Sequence, residues 1–214
     1  MSEVIDRAQS LRNVLSSPDS SVRLQAAMSA GIHPDSAYVD VIVDQFATEP
    51  EFFVRDMLSW ALINQDRELS VARVLRELES SNVQARAQSL HALSKLREPS
   101  TWSAITDAML FDKADQVART AWRAAVVLVP EAERTVLAEK LCTQLGRGDR
   151  ETRLSLSREL LNLGESALPA IQKARKHKDL SVRTHAIATE HLDAHPDAGF
   201  DAALDQAKRL AALQ

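Results

Sequence analysis

One arginine recurs six times along this chain, and its surroundings recur with it. Aligned on that residue, an acid or amide stands four positions earlier in every copy: Asp19/Arg23, Glu51/Arg55, Asn82/Arg86, Asp115/Arg119, Asp149/Arg153 and Asp179/Arg183. Successive arginines are 32, 31, 33, 34 and 30 residues apart. The residue before each is small or β-branched (Val22, Val54, Ala85, Ala118, Thr152, Val182). A period of this size belongs to a stacked repeat, in which each unit buries its apolar face against its neighbours.

The chemistry of the repeated segment marks a helix start. A side-chain oxygen of Asp or Asn accepts from the free N–H groups of a first turn, and negative charge there suits the helix dipole. Counted from each arginine, positions −1, +3, +6, +7 and +10 share one face at helical spacing and are mostly Val, Ala, Leu or Ile. The expected fold is therefore all-α: a solenoid of about six helix pairs with a C-terminal capping helix, one array over residues 1–214.

The prolines punctuate it. Pro18, Pro34, Pro50, Pro99, Pro130 and Pro196 fall between predicted helices, where a missing N–H does least harm, and Pro169 falls in a first turn. The first outer helix is expected over Ser2 to Leu15, and outer helix 4 from Pro99-Ser100 with Trp102, Ile105 and Met109 buried. Pro196-Asp197 is expected to open the last helix, whose Asp201, Asp205, Lys208 and Arg209 give the stack a polar end.

The pattern resembles HEAT repeats, specifically the short bacterial HEAT-like (PBS lyase-type) kind with an Asp-x-x-Val-Arg-x-x-Ala core. The resemblance covers nearly the whole chain and is nearest from Gly164 through Asp179-Leu180-Ser181-Val182-Arg183-Thr184-His185-Ala186. Copy 2 has Leu58 and copy 4 has Trp122 where the family favours Ala, so those two boundaries should pack differently. The resemblance implies a right-handed stack whose second helices line a concave surface.

Composition narrows the rest. Hydrophobic residues make up 45% and aromatics only 4%, which favours a Leu/Val/Ile/Ala helical core over a β-sandwich. A formal net charge of −4 gives no global pull toward nucleic acid or anionic lipid. The single Cys142 excludes an intramolecular disulfide and any multi-cysteine metal site. No apolar run approaches a membrane span and no signal peptide is visible, so the cytosol is the expected compartment.

The arginines Arg23, Arg55, Arg86, Arg119, Arg153 and Arg183 are read as a structural ladder with Asp19, Asp115, Asp149 and Asp179, because a scaffold requirement repeats in every copy. His185, His191 and His195 lie close in sequence, but they lack a metalloprotease arrangement and Pro196 follows at once. The one basic run, Lys173 to Lys178, complements the end of a helix. No catalytic, metal or cofactor site is assigned.

Departures from the repeat are more informative. Positions +1, +5 and +8 should face the groove; at +5 stand Met28, Trp60 and His91 in three successive inner helices, with Asp56 one turn before Trp60. A large aromatic beside an adaptable Met and polar groups has the composition of a recognition anchor. Rotation of the helix would instead bury Trp60 between copies 2 and 3. The first expectation is a non-enzymatic scaffold for a protein or peptide, with nucleic acid disfavoured.

Resemblance supplies two further readings. HEAT-like alkylpurine DNA glycosylases set Trp, Asp and Arg in a groove around a damaged nucleotide. They place the Trp one turn before the Asp, the reverse of Asp56 and Trp60, and line the groove with cations, of which these positions supply little beyond Lys95 and Arg158. Bilin lyases have similar repeats, and nothing here marks a tetrapyrrole site.

Overall fold

Side-chain oxygens start the inner helices much as the repeat predicts. Asp19 accepts from Ser21 N–H at 2.8 Å, Asn82 from Ala85 N–H at 3.0 Å, Asp149 from Thr152 N–H at 2.8 Å and Asp179 from Ser181 N–H at 2.7 Å. Each such cap is worth about 1 kcal/mol. Copies 2 and 4 differ. Glu51 caps with no side-chain bond, and Asp115 is already the first helical residue; acids slightly upstream, Glu49 and Asp112, take the N–H groups of Glu51 and Ala114.

The computed structural model describes residues 2–195 and 199–211. The chain is an all-α solenoid, with no strand among the described residues. The inner helices are α2 (Ser20–Ile32), α4 (Phe52–Ile63), α6 (Val83–Leu96), α8 (Asp115–Leu128), α10 (Arg150–Asn162) and α12 (Leu180–Ala194). The outer elements are α1 (Ser2–Leu15), α3 (Tyr38–Phe46), α5 (Arg67–Glu77), α7 (Asp107–Leu110), α9 (Arg134–Cys142) and α11 (Leu168–Ala174), and α13 (Phe200–Ala211) follows.

In copies 2 to 5 all five stripe positions are buried. Copy 1 is rotated: Arg23 and Ala27 turn inward where Val22 and Ala26 were expected, because Arg23 reaches a buried carboxylate on the next copy. One apolar cluster runs from Leu11 to Ala186, with Phe46, Leu58, Leu93 and Trp122 among its fully buried side chains, each contributing roughly 1.5–3 kcal/mol. A second, small cluster (Ile187, Ala188, Phe200, Ala203, Ala207) joins α12 to α13.

Outer helix 4 is not the single helix expected. It is a 3-10 helix, Pro99–Ala104, then an extended break at Ile105 and Thr106, then the one-turn α7. Ile105 is buried, whereas Trp102 and Met109 are half-buried. The cause sits opposite. Trp122 occupies the usual Ala position, fully buried, and its indole N–H donates to the Leu110 carbonyl at 2.9 Å. A side chain of that volume leaves no room for a continuous outer helix at normal spacing.

The expected start of the last helix at Pro196-Asp197 lies outside the described residues. Further on, Asp201 of α13 receives two parallel bonds from Arg150 of α10, at 2.6 and 2.8 Å, so the final helix is tied beyond its nearest neighbour.

Candidate functional site

The arginine ladder has two components that the sequence did not separate. First, each arginine but one holds the turn that precedes its own helix. Arg23, Arg55, Arg86 and Arg183 donate to the carbonyl six residues back (Ser17, Glu49, Ser80 and His177), and Arg153 donates to that of Gly146. These carbonyls follow the end of an outer helix, so the guanidinium satisfies acceptors that would otherwise need water.

Second, the links between copies use acids outside the repeat pairs at two boundaries (Glu49 and Asp112) and the repeat acids Asp115 and Asp149 around copy 4. Arg23 meets Glu49 at 2.8 and 2.7 Å, and Arg86 meets Asp112 at 3.1 Å. Asp115 pairs with Arg147, which also donates to the Asp112 carbonyl and lies over the Trp122 ring. Arg119 acts on Asp149 through space. Asp19 and Asp179 serve as helix caps. Burial pushes the Glu49 carboxyl up, but hydrogen bonds from Arg23, the Glu51 N–H and Gln45 outweigh it and hold the group below its ordinary value.

The three flagged histidines separate. The rings of His191 and His195 sit 4.6 Å apart, while His185 is fully buried elsewhere. His185 Nδ1 accepts from Gly146 N–H, which leaves the proton on Nε2, 3.0 Å from both the Arg153 carbonyl and Ser157 Oγ. Gly146 serves three partners with φ at +86°, in the left-handed region that a glycine enters without cost. Among the described residues no group of three His, Cys, Asp or Glu could hold a metal ion. Burial pushes the Cys142 thiol up to about 12, which keeps it protonated.

On the inner helices a groove of about 590 Å³ opens between α4, α6, α8 and the start of α10. Asp56 and His91 line it together, with His91 Nε2 3.8 Å from Asp56 Oδ1. Burial, with the charges of Arg123 and Lys95, holds the His91 imidazole below its ordinary value, against the pull of Asp56. The groove is richer in cations than positions +1, +5 and +8 imply: Arg55, Lys95, Arg119 and Arg123 all line it, beside Asp56, Asp115 and Asp149. Phe52, 64% exposed, stands at its edge with its ring against that of Phe53.

Trp60 and Met28 lie outside this groove's walls, at the N-terminal end of the inner face. Trp60 is 39% exposed and Met28 43%. The Trp60 ring lies across Gly31 of α2, so closely that a Cβ there would come within 2.2 Å of it. The ring packs between copies 1 and 2, not between copies 2 and 3, and still presents a surface. In α8 the outward place passes from position +5, where Ala124 is buried, to the exposed Arg123.

The class these helices define is a helical repeat protein. No known protein family matches the chain, and no curated protein matches it. Among solved structures it is similar to an engineered protein from the Northeast Structural Genomics Consortium, at 20% identity and TM-score 0.45, covering 95% of this chain and 97% of that one. A second engineered protein from the same consortium gives 21% and 0.43, covering 99% of this chain and 63% of the other. The complex of CpcE and CpcF of phycocyanin lyase from Nostoc sp. PCC7120 gives 16% and 0.47, covering 96% and 86%. No helix among the described residues is long and apolar enough to cross a membrane.

Proposed function

We propose that the chain is a non-enzymatic HEAT-like scaffold, one array over residues 1–214 in the cytosol, that holds a protein or peptide along its inner helices without metal or cofactor. The observation that carries this reading is Trp60: a half-open indole on an inner helix, fixed against Gly31 and flanked by the exposed Met28. A preformed aromatic surface binds with little loss of side-chain freedom, which is why such residues dominate recognition sites. Asp56, one turn before Trp60 on α4, and His91 on α6 supply polar contacts.

The test compares proteins captured from the native cell by the tagged chain and by a Met28→Ala/Trp60→Ala variant of unchanged helicity. Loss of a specific protein from the variant supports the reading. An identical captured set overturns it.

A second reading, a HEAT-like alkylpurine DNA glycosylase, draws on the cations found beside Asp56. The order of Asp56 and Trp60, reversed from that of those enzymes, weighs against it. Release of modified purines from alkylated duplex DNA by the wild-type chain, lost in Asp56→Asn, would establish that activity over the scaffold reading.

A further inference from the structure

The inner face changes character along its length. On α2 and α4 its large exposed side chains are apolar, Met28 and Ile32, then Trp60 and Ile63, with the exposed Asp56 beside Trp60. On α6, α8 and α10 exposed cations join the face, Lys95, Arg123 and Arg158, together with the apolar Val127 of α8. No ion pair engages Lys95 or Arg158 among the described residues. Arg123 has only a loose contact with the buried Glu159, at 3.6 Å, and keeps 45% of its side chain open. Lys95 and Arg123 line the same groove. This basic end stands on a chain whose net charge is −4, so it is a local arrangement and not an overflow of global charge.

From these observations, and resting on the scaffold reading above, we infer that the occupant is a peptide segment of two unlike halves. Bulky apolar side chains of the segment lie over α2 and α4, and acidic side chains lie over α6 to α10. Apolar surface at one end is removed from water on both sides, while carboxylates meet the exposed cations at the other. Four helix-to-helix steps of roughly 8–10 Å separate α2 from α10. At about 3.3 Å per extended residue, the segment is on the order of ten residues long. A single strand of nucleic acid fits the face less well. Its charge is uniform, but α4 brings only Arg55 to this face, held by the Glu49 and Pro50 carbonyls, and the exposed Asp56 stands between the two ends.

Panning a random dodecapeptide library on phage against the full chain tests the proposal. Enriched peptides should carry Leu, Phe, Met or Trp toward one end and Asp or Glu toward the other. As synthetic peptides they should bind at least tenfold more weakly to Lys95→Glu/Arg158→Glu, a variant that alters only exposed side chains. Enriched peptides without acidic bias, binding that variant as well as the wild type but failing on Trp60→Ala, would overturn the two-part segment and leave the scaffold reading in place. No enrichment at all would overturn both. Tighter binding of a labelled twelve-nucleotide single strand than of any enriched peptide, lost with the same two cations, would replace the peptide with nucleic acid.

Discussion

Arg23 on the first inner helix and Glu49 in the turn before the second form two parallel hydrogen bonds, with the carboxylate wholly shielded from water. Each charge depends on the other. Arg23→Ala strands a buried carboxylate and should cost roughly 3–5 kcal/mol, read from denaturant unfolding. Arg119→Ala removes a half-buried cation that acts on Asp149 only through space, and should cost about 1 kcal/mol or less. Equal losses would mean that the two links are of one kind. On acidification, the Glu49 contribution is present above its unfolded value of 4.5 and is lost as the pH falls below it, because its folded value is depressed.

His185 titrates in a different window. Burial, reinforced by the nearby Arg153 charge, lowers its value from 6.5 to about 4, despite the Arg153 carbonyl that favours the protonated ring. The unfolded chain therefore binds more protons than the folded one between those limits. Stability is full above pH 6.5 and should fall by at most about 3 kcal/mol on acidification to pH 4. His185→Asn should be less stable at neutral pH and should lose most of that slope. A variant with the wild-type slope would place the pH dependence elsewhere.

Gly31 provides the slot for Trp60. A Cβ at Gly31 would meet ring carbons at 2.2 and 2.6 Å and the Ala61 Cα at 3.0 Å, and only the ring can swing away. In a Trp102→Phe background, where Trp122 is buried, iodide quenching reports mainly on Trp60. Gly31→Ala should raise that quenching and weaken partner binding while leaving the helical content unchanged. Unaltered quenching would show that the backbone yields instead.

Trp122 sets the form of copy 4. Trp122→Ala empties a large core volume and frees the Leu110 carbonyl, and should cost about 3–5 kcal/mol in denaturant unfolding. Trp122→Phe keeps much of the volume and drops only the N–H, so it should cost less than half as much. A loss under 1 kcal/mol for the alanine variant would mean that copy 4 collapses around the gap.

The period and the caps were legible because both are local: a side-chain oxygen two or three residues before a free N–H, then an apolar stripe at fixed spacing. Glu49 and Asp112 carried a readable signal as well, each an acid just ahead of a turn in the copies whose own cap fails. The exposure of Trp60 was not legible, since it depends on Gly31 in the preceding copy, and no local pattern links the two. Arg123 was missed for a related reason. It stands one position before the place the repeat assigns to the groove, and only the packed core shows that Ala124 is covered instead.

The small cluster between α12 and α13 stands apart from the one running from Leu11 to Ala186. Detaching α13 exposes a few apolar side chains and breaks the Arg150–Asp201 pair, yet leaves every other copy intact. Amide protons of α13 should thus exchange with deuterium through a local opening, far faster than those of α6 or α8, which wait for global unfolding. The array has a hinged last page: it can be lifted and closed again while the binding is still sewn.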